Sequence, residues 1–190
     1  MKNFRILTAV FLLGALISSC TDDDDTTPAA ATPVTPNEEE LITTVDLEFR
    51  DALGTIVGTF SFNDPDGDGG NDPTIDTIRI AASAVYTVIA EFKDASDPND
   101  VEDITAEILE EDDEHLVCFE QTNISGLTIQ RTDTDGTYEV GLESQWETTM
   151  SASSNQGVLR LTLRHQPGSK DGTCTPGDSD VEIDFPVVIQ

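Results

Sequence analysis

Histidine occurs twice in this 190-residue chain, tryptophan once, tyrosine twice and cysteine three times, and nine lysines and arginines stand against 38 aspartates and glutamates. Each scarcity excludes a class of function. A chain of net charge −29 with nine basic residues repels phosphate backbones and anionic lipid surfaces, so nucleic acid is excluded as a partner on electrostatic grounds. Two histidines give a hydrolytic triad no support, and no GxSxG, HExxH or P-loop run occurs. Trp146, Tyr86 and Tyr138 are too few for an aromatic sugar platform. There is no CxxC pair, which removes the zinc ribbons and dithiol oxidoreductases. No apolar run reaches the roughly 20 residues of a membrane-spanning helix.

What is present begins at the N-terminus, MKNFRILTAVFLLGALISSC. Lys2 and Arg5 precede an uncharged, mostly apolar stretch from Ile6 to Ile17, and small residues then lead to Cys20. That order is a secretory signal. Small residues ahead of a cysteine resemble the lipobox of bacterial lipoproteins, which implies cleavage before Cys20 and acylation of Cys20, residues 1–19 being the signal peptide. Two or three acyl chains anchor a protein stably where one does not. Loss of Lys2 and Arg5 leaves seven basic residues against 38 acidic ones, a net charge of −31. Residues 20–36 read TDDDDTTPAAATPVTP after the cysteine, a composition that cannot bury a core and predicts a disordered tether. Asp22 to Asp25 resemble the surface-export signal of Bacteroidota lipoproteins, implying an outer-membrane protein facing the cell exterior; otherwise they only lengthen the tether.

From about residue 37 to residue 190 the pattern is mostly of period two and predicts one all-β domain. Nine apolar runs carry it: Ile42/Val45/Leu47/Phe49, Ile56/Phe60/Phe62, Ile75/Ile78/Ile80, Tyr86/Val88/Ala90/Phe92, His115/Val117/Phe119, Leu127/Ile129/Arg131, Tyr138 to Met150, Leu159/Leu161/Leu163/His165 and Val181/Ile183/Phe185/Val187/Ile189. Short strands between Gly, Asp and Asn turns argue for an antiparallel, Ig-like β-sandwich. One segment departs. Val101, Ile104 and Ile108 recur at three and four, and Asn99 with Glu102 reads as a capping box, so a short crossover helix is expected over about 100–111.

Three groups of residues could carry chemistry. DPDGDGGNDP places Asp64, Asp66 and Asp68 two residues apart before Gly69, with Asp72 and Asp76 beyond. Calcium takes six to eight oxygens, and such spacing on a tight turn suits it. The run resembles the calcium loops of thrombospondin type 3 repeats through Asp72. Ile75 stands where an EF-hand needs glutamate, and a plain acidic turn has the same composition. Second, His115 opens one predicted strand and His165 closes another, so antiparallel neighbours would bring both to one rim. With Glu111 or Asp112 they would suit zinc or another transition metal; two unrelated rim histidines are the simpler reading. Third, Cys118 and Cys174 can oxidise outside the cytoplasm, though sequence alone does not place a bridge.

Taken together, NEEELITTV, DPDGDGGNDP, EDITAEILEEDDEH, LTLRHQPG and VEIDFPVVIQ resemble a family of small flavobacterial surface lipoproteins, some labelled "type 1 periplasmic binding fold superfamily protein". That label implies βαβ units and a parallel sheet, whereas the residues predict an antiparallel sandwich. The expectation is a non-enzymatic, lipid-anchored binding or accessory module, holding a metal or docking on an outer-membrane transporter or envelope protein. The alternative is a structural cell-envelope protein with no small ligand.

Overall fold

Strict alternation of apolar and polar residues makes strands here, and two sheets share what those strands bury. The structure, a computed structural model, describes residues 40–67, 69–149 and 155–190. Among them are eleven strands and one helix: β1 (Thr44–Arg50), β2 (Ile56–Asn63), β3 (Thr74–Ile75), β4 (Ile78–Ile80), β5 (Val85–Asp94), β6 (Glu102–Asp103), α1 (Ile104–Glu110), β7 (His115–Thr122), β8 (Leu127–Arg131), β9 (Glu143–Thr148), β10 (Asn155–His165) and β11 (Asp178–Ile189). The larger sheet runs β3-β2-β1-β5-β9-β8 with β6 beside β5, and the smaller runs β4-β11-β10-β7. This is an all-β sandwich. It is antiparallel throughout except that β4 pairs parallel with β11.

One buried core joins the sheets. Val45, Leu47 and Phe49 of β1 and Val88, Ala90 and Phe92 of β5 face Leu159, Leu161 and Leu163 of β10 and Ile183, Phe185 and Val187 of β11. Trp146 of β9 is fully buried and spans the layers, edge-on to Phe49 at 5.0 Å and to Phe119 of β7 at 5.9 Å. Its indole N–H donates to Ser144 Oγ at 2.9 Å, which satisfies the one polar atom it buries. On the outward face Lys93 of β5 pairs with two carboxylates: its Nζ lies 2.9 Å from Asp46 across the ladder on β1 and 2.9 Å from Glu91, two residues back on its own strand.

Three sequence expectations change. Ile75, Ile78 and Ile80 do not form one strand; the chain switches sheets between them, β3 pairing with β2 and β4 with β11. The helix begins at Ile104, after Asp103, with no side-chain cap. Asn99 instead donates its amide to Asp97, and Glu102–Asp103 are drawn into pairing with β5. The expected capping box therefore does not form, because strand pairing claims its glutamate. The strand returning from the DTDG turn starts at Glu143 rather than Tyr138, since Asp133 accepts from the Gly141 and Glu143 N–H groups and prolongs the loop. The helix does cross between sheets, from β6 in one to β7 in the other, burying Ile104 and Ile108. Among the described residues no helix is long and apolar enough to span a membrane. Cys20, the leader, the tether and Asp68 lie outside the described residues.

Candidate metal centre

The two histidines meet. β7 and β10 pair antiparallel with His115 opposite His165, next to the Val117–Leu163 and Phe119–Leu161 pairs on the core face. They occupy a covered end of the core rather than an open rim: His115 is 1% and His165 4% exposed. Their rings stack with centroids 4.4 Å apart and planes 16° from parallel. Glu111, at the C-terminal end of α1, comes with them, and one donor atom from each of Glu111, His115 and His165 lies within 4.8 Å of the other two. The helix supplies that carboxylate because α1 ends one turn before β7 begins. Asp112, the other expected ligand, is not in the group; its backbone carbonyl accepts a hydrogen bond from Lys170 Nζ at 2.6 Å.

The hydrogen bonds fix which nitrogen of each ring is available. His115 Nδ1 lies 3.0 Å from the Glu111 carbonyl oxygen, which can only accept, so Nδ1 carries the proton. Burial lowers the His115 pKa, outweighing that bond, and the ring is neutral with a lone pair on Nε2. His165 Nε2 lies 3.4 Å from a Glu114 carboxylate oxygen, which puts its proton there and the lone pair on Nδ1. His115 Nε2 and His165 Nδ1 are both buried and neither has a hydrogen-bond partner. A neutral imidazole anchored by one nitrogen to a carbonyl or carboxylate, with the other lone pair open, is the arrangement of a metal-ligating histidine. Near-parallel stacking holds the lone pairs in separate planes, so one ring must turn about its Cβ–Cγ bond to share an ion with the other.

Two further carboxylates border this group and were not expected from the sequence. Asp180 of β11 has a side chain of 0% exposure with Oδ2 4.0 Å from His115 Nε2. Glu40 sits beside Glu107, Asp180 and Glu111; its pKa is raised by burial first and then by those charges. A cleft of about 510 Å³ opens beside them, lined by Glu40, Ile42, Phe62, Asp64, Asp180 and Glu182 among others, with no basic residue on its walls among the described residues. In Asp180 the alternation of β11 misleads, since Asp178, Glu182 and Asp184 are exposed.

Among the described residues, which leave out Asp68, the carboxylates of the acidic run do not gather into one metal-sized group. Asp66 Oδ2 accepts from the backbone and side-chain N–H groups of Asn71 at 3.0 and 2.6 Å, closing the turn on itself. Those bonds hold the Asp66 carboxyl below the usual carboxylate range. Asp76 turns away and accepts from the Ser61 N–H at 3.0 Å across the β2–β3 pair. Asp72 is exposed, and Asp64 contributes instead to the cleft wall.

Cys118 and Cys174 form a disulfide with Cα atoms 6.0 Å apart. It fastens the β10–β11 loop, which begins at His165, back onto β7. The loop is built tightly on that histidine: a Cβ at Gly177, whose φ is +76°, would stand 1.9 Å from the His165 carbonyl oxygen. Gln166, fully buried, donates to the Thr173 and Pro176 carbonyls at 2.8 and 3.0 Å. Comparison of the chain with protein-family profiles, curated proteins and solved structures returned no significant match.

Proposed function

We propose that this chain is a non-enzymatic binding module that holds a divalent transition-metal ion at His115, His165 and Glu111, on a domain tethered to the outer membrane through an acylated Cys20 and facing the cell exterior. One observation carries the metal reading: two buried imidazole lone pairs, His115 Nε2 and His165 Nδ1, lack a donor, and carboxylates surround them. A buried acceptor with no donor costs about 1–3 kcal/mol. A cation satisfies both and offsets the neighbouring negative charge as well. The anchor rests on the order of charged, apolar and small residues before Cys20.

Thermal unfolding of the full chain with zinc, calcium or chelator tests the reading. Ligand at 100 times its dissociation constant stabilises by about 2.7 kcal/mol, or roughly 5–10 °C for a domain of this size. Zinc should raise the midpoint by that amount and calcium should not, and His115→Ala or His165→Ala should abolish the rise. No shift with any divalent metal would leave the alternative, a structural envelope protein without a small ligand. Labelled palmitate incorporated into the wild type but not into Cys20→Ala would establish the anchor.

A further inference from the structure

We propose that the Cys118–Cys174 bridge is a thiol-exchange site, at which an external dithiol attacks Cys118 Sγ and Cys174 leaves as a thiolate held by Arg131.

The two sulfurs sit in unlike surroundings. Cys118 is 7% exposed on β7, whereas Cys174 is exposed in the loop between β10 and β11. Both line an open pocket of about 380 Å³, so a small thiol reaches the bridge from solvent while the fold stays closed. The pocket walls carry Arg160 and Arg164 against Glu120 and Glu182. Charges of the two signs balance there, and an incoming thiolate is spared the repulsion that a chain of net charge −29 exerts elsewhere.

Arg131 makes the bridge asymmetric. Its Nη2 donates to Cys174 Sγ at 3.3 Å. Its Nε donates to the Val117 carbonyl at 2.6 Å and its Nη1 to Glu139 at 3.1 Å, which fixes the guanidinium beside that sulfur. A bridged sulfur is a weak acceptor, but a thiolate in its place faces a permanent cation. A neighbouring arginine lowers a thiol pKa, and apolar burial raises it. Cys174 is therefore the better leaving group and Cys118 the sulfur attacked, since the thiol of lower pKa leaves faster. A bridge that only staples needs neither an exposed sulfur nor a cation on one side of it, and exposed disulfides are the labile ones.

The exchange runs in two displacements. The reductant's first thiolate bonds to Cys118 Sγ, the bond between Cys118 and Cys174 breaks, and the electron pair departs on Cys174 Sγ. The reductant's second thiolate then attacks its own sulfur in that mixed disulfide and expels Cys118. Of the two protons the dithiol gives up, Cys118 takes one and solvent the other. The protein ends two electrons richer and the reductant ends as a disulfide.

Treating the native full chain with glutathione, quenching with an alkylating agent and mapping the peptides tests the direction of attack. Glutathione should be found on Cys118 and the alkyl group on Cys174, and the reverse assignment would overturn the proposal. The rate of reduction by dithiothreitol tests the activation. Native wild type should be reduced at least as fast as the same chain unfolded in urea, and Arg131→Gln about tenfold more slowly than native wild type. Native reduction slower than in urea would make the bridge a staple, and equal rates for wild type and Arg131→Gln would remove Arg131 from the step. Should Arg131→Gln fail to fold, Glu139→Gln decides. It withdraws the carboxylate that competes for the guanidinium and leaves the Val117 contact, so it should speed reduction; an unchanged or lower rate would count against Arg131.

Discussion

His115 ties the stability of the metal-free protein to pH. Its folded pKa lies below the ordinary value of 6.5 because burial penalises the imidazolium. As pH falls through about 6.5, the unfolded chain takes up a proton that the folded chain refuses, so stability drops toward acid. Glu40 acts in the opposite sense. Its folded pKa lies above 4.5, so the stability it contributes is present below that value and is lost as pH rises through the raised one. Urea midpoints between pH 5 and 8, read from the fluorescence of the single tryptophan, should fall toward pH 5 in the wild type and fall less in His115→Gln. Glu40→Gln should raise the metal-free midpoint at pH 7 by removing a carboxylate from a crowd of like charge. A His115→Gln profile parallel to the wild type would show that the ring titrates normally. At this scale the sequence is partly legible. His115, His165 and Glu111 stand out because they end or precede alternating runs. Asp180 does not, because a bulge has no signature in a run that otherwise alternates. Asp112, adjacent to Glu111, turns elsewhere because a helix end aims consecutive side chains in different directions.

Among the elements, the β10–β11 hairpin does most to position the site. Its loop leaves at His165 and returns at Asp178, and the disulfide holds it. The bridge spans a sequence separation of 56. On the chain-entropy account a closed loop of that length contributes about 4 kcal/mol, and its loss should lower the thermal midpoint by roughly 10 °C. Cys118→Ser with Cys174→Ser tests this by calorimetry, and a change below about 2 °C would mean that the loop is held by its other contacts. Arg164 is one of those, donating to the carbonyls of Pro176 and Gly177 and to Ser179 Oγ. Gly177→Ala makes a sharper change. Both the positive φ and the approach to the His165 carbonyl oppose a side chain, so the loop must lift there. It should weaken zinc, while Gly58→Ala in β2, where φ is not left-handed and a Cβ would meet only the Phe60 ring at 3.4 Å, should not. The elements themselves were legible where alternation was long, as in β5, β10 and β11. The sheet switch between Ile75 and Ile78 was not, because alternate apolar residues look alike whichever sheet they pair with. The acidic run was ambiguous for a related reason: closing a turn and binding a cation call on the same residues.

Over the whole molecule charge acts in two regimes. A chain carrying −29 repels itself, and since most of that charge is at the surface, salt should relieve it. Lys170 and Asp135 belong to the other regime. Their side chains are 3% and 4% exposed, with Nζ 2.7 Å from Oδ2. Lys170 also donates to the Asp112 carbonyl, so it joins the loop after β10, the loop after β8 and the end of α1 behind the histidines. Burial alone would raise the Asp135 pKa, but Lys170 and the N–H groups of Tyr138 and Thr137 overcome it and hold the carboxyl at about 2. Its contribution is therefore complete above pH 4 and lost as pH falls from there toward 2. Lys170→Met would leave Asp135 buried without its cation, at a cost of about 3–5 kcal/mol. Unfolding midpoints from low to half-molar sodium chloride should rise in both wild type and variant, while the difference between them stays nearly constant, because the pair is shielded from the ions that screen the surface. If salt instead erased the difference, Lys170 would be acting as one more surface charge in a very acidic chain, and the three segments it joins would have to be held together by packing alone.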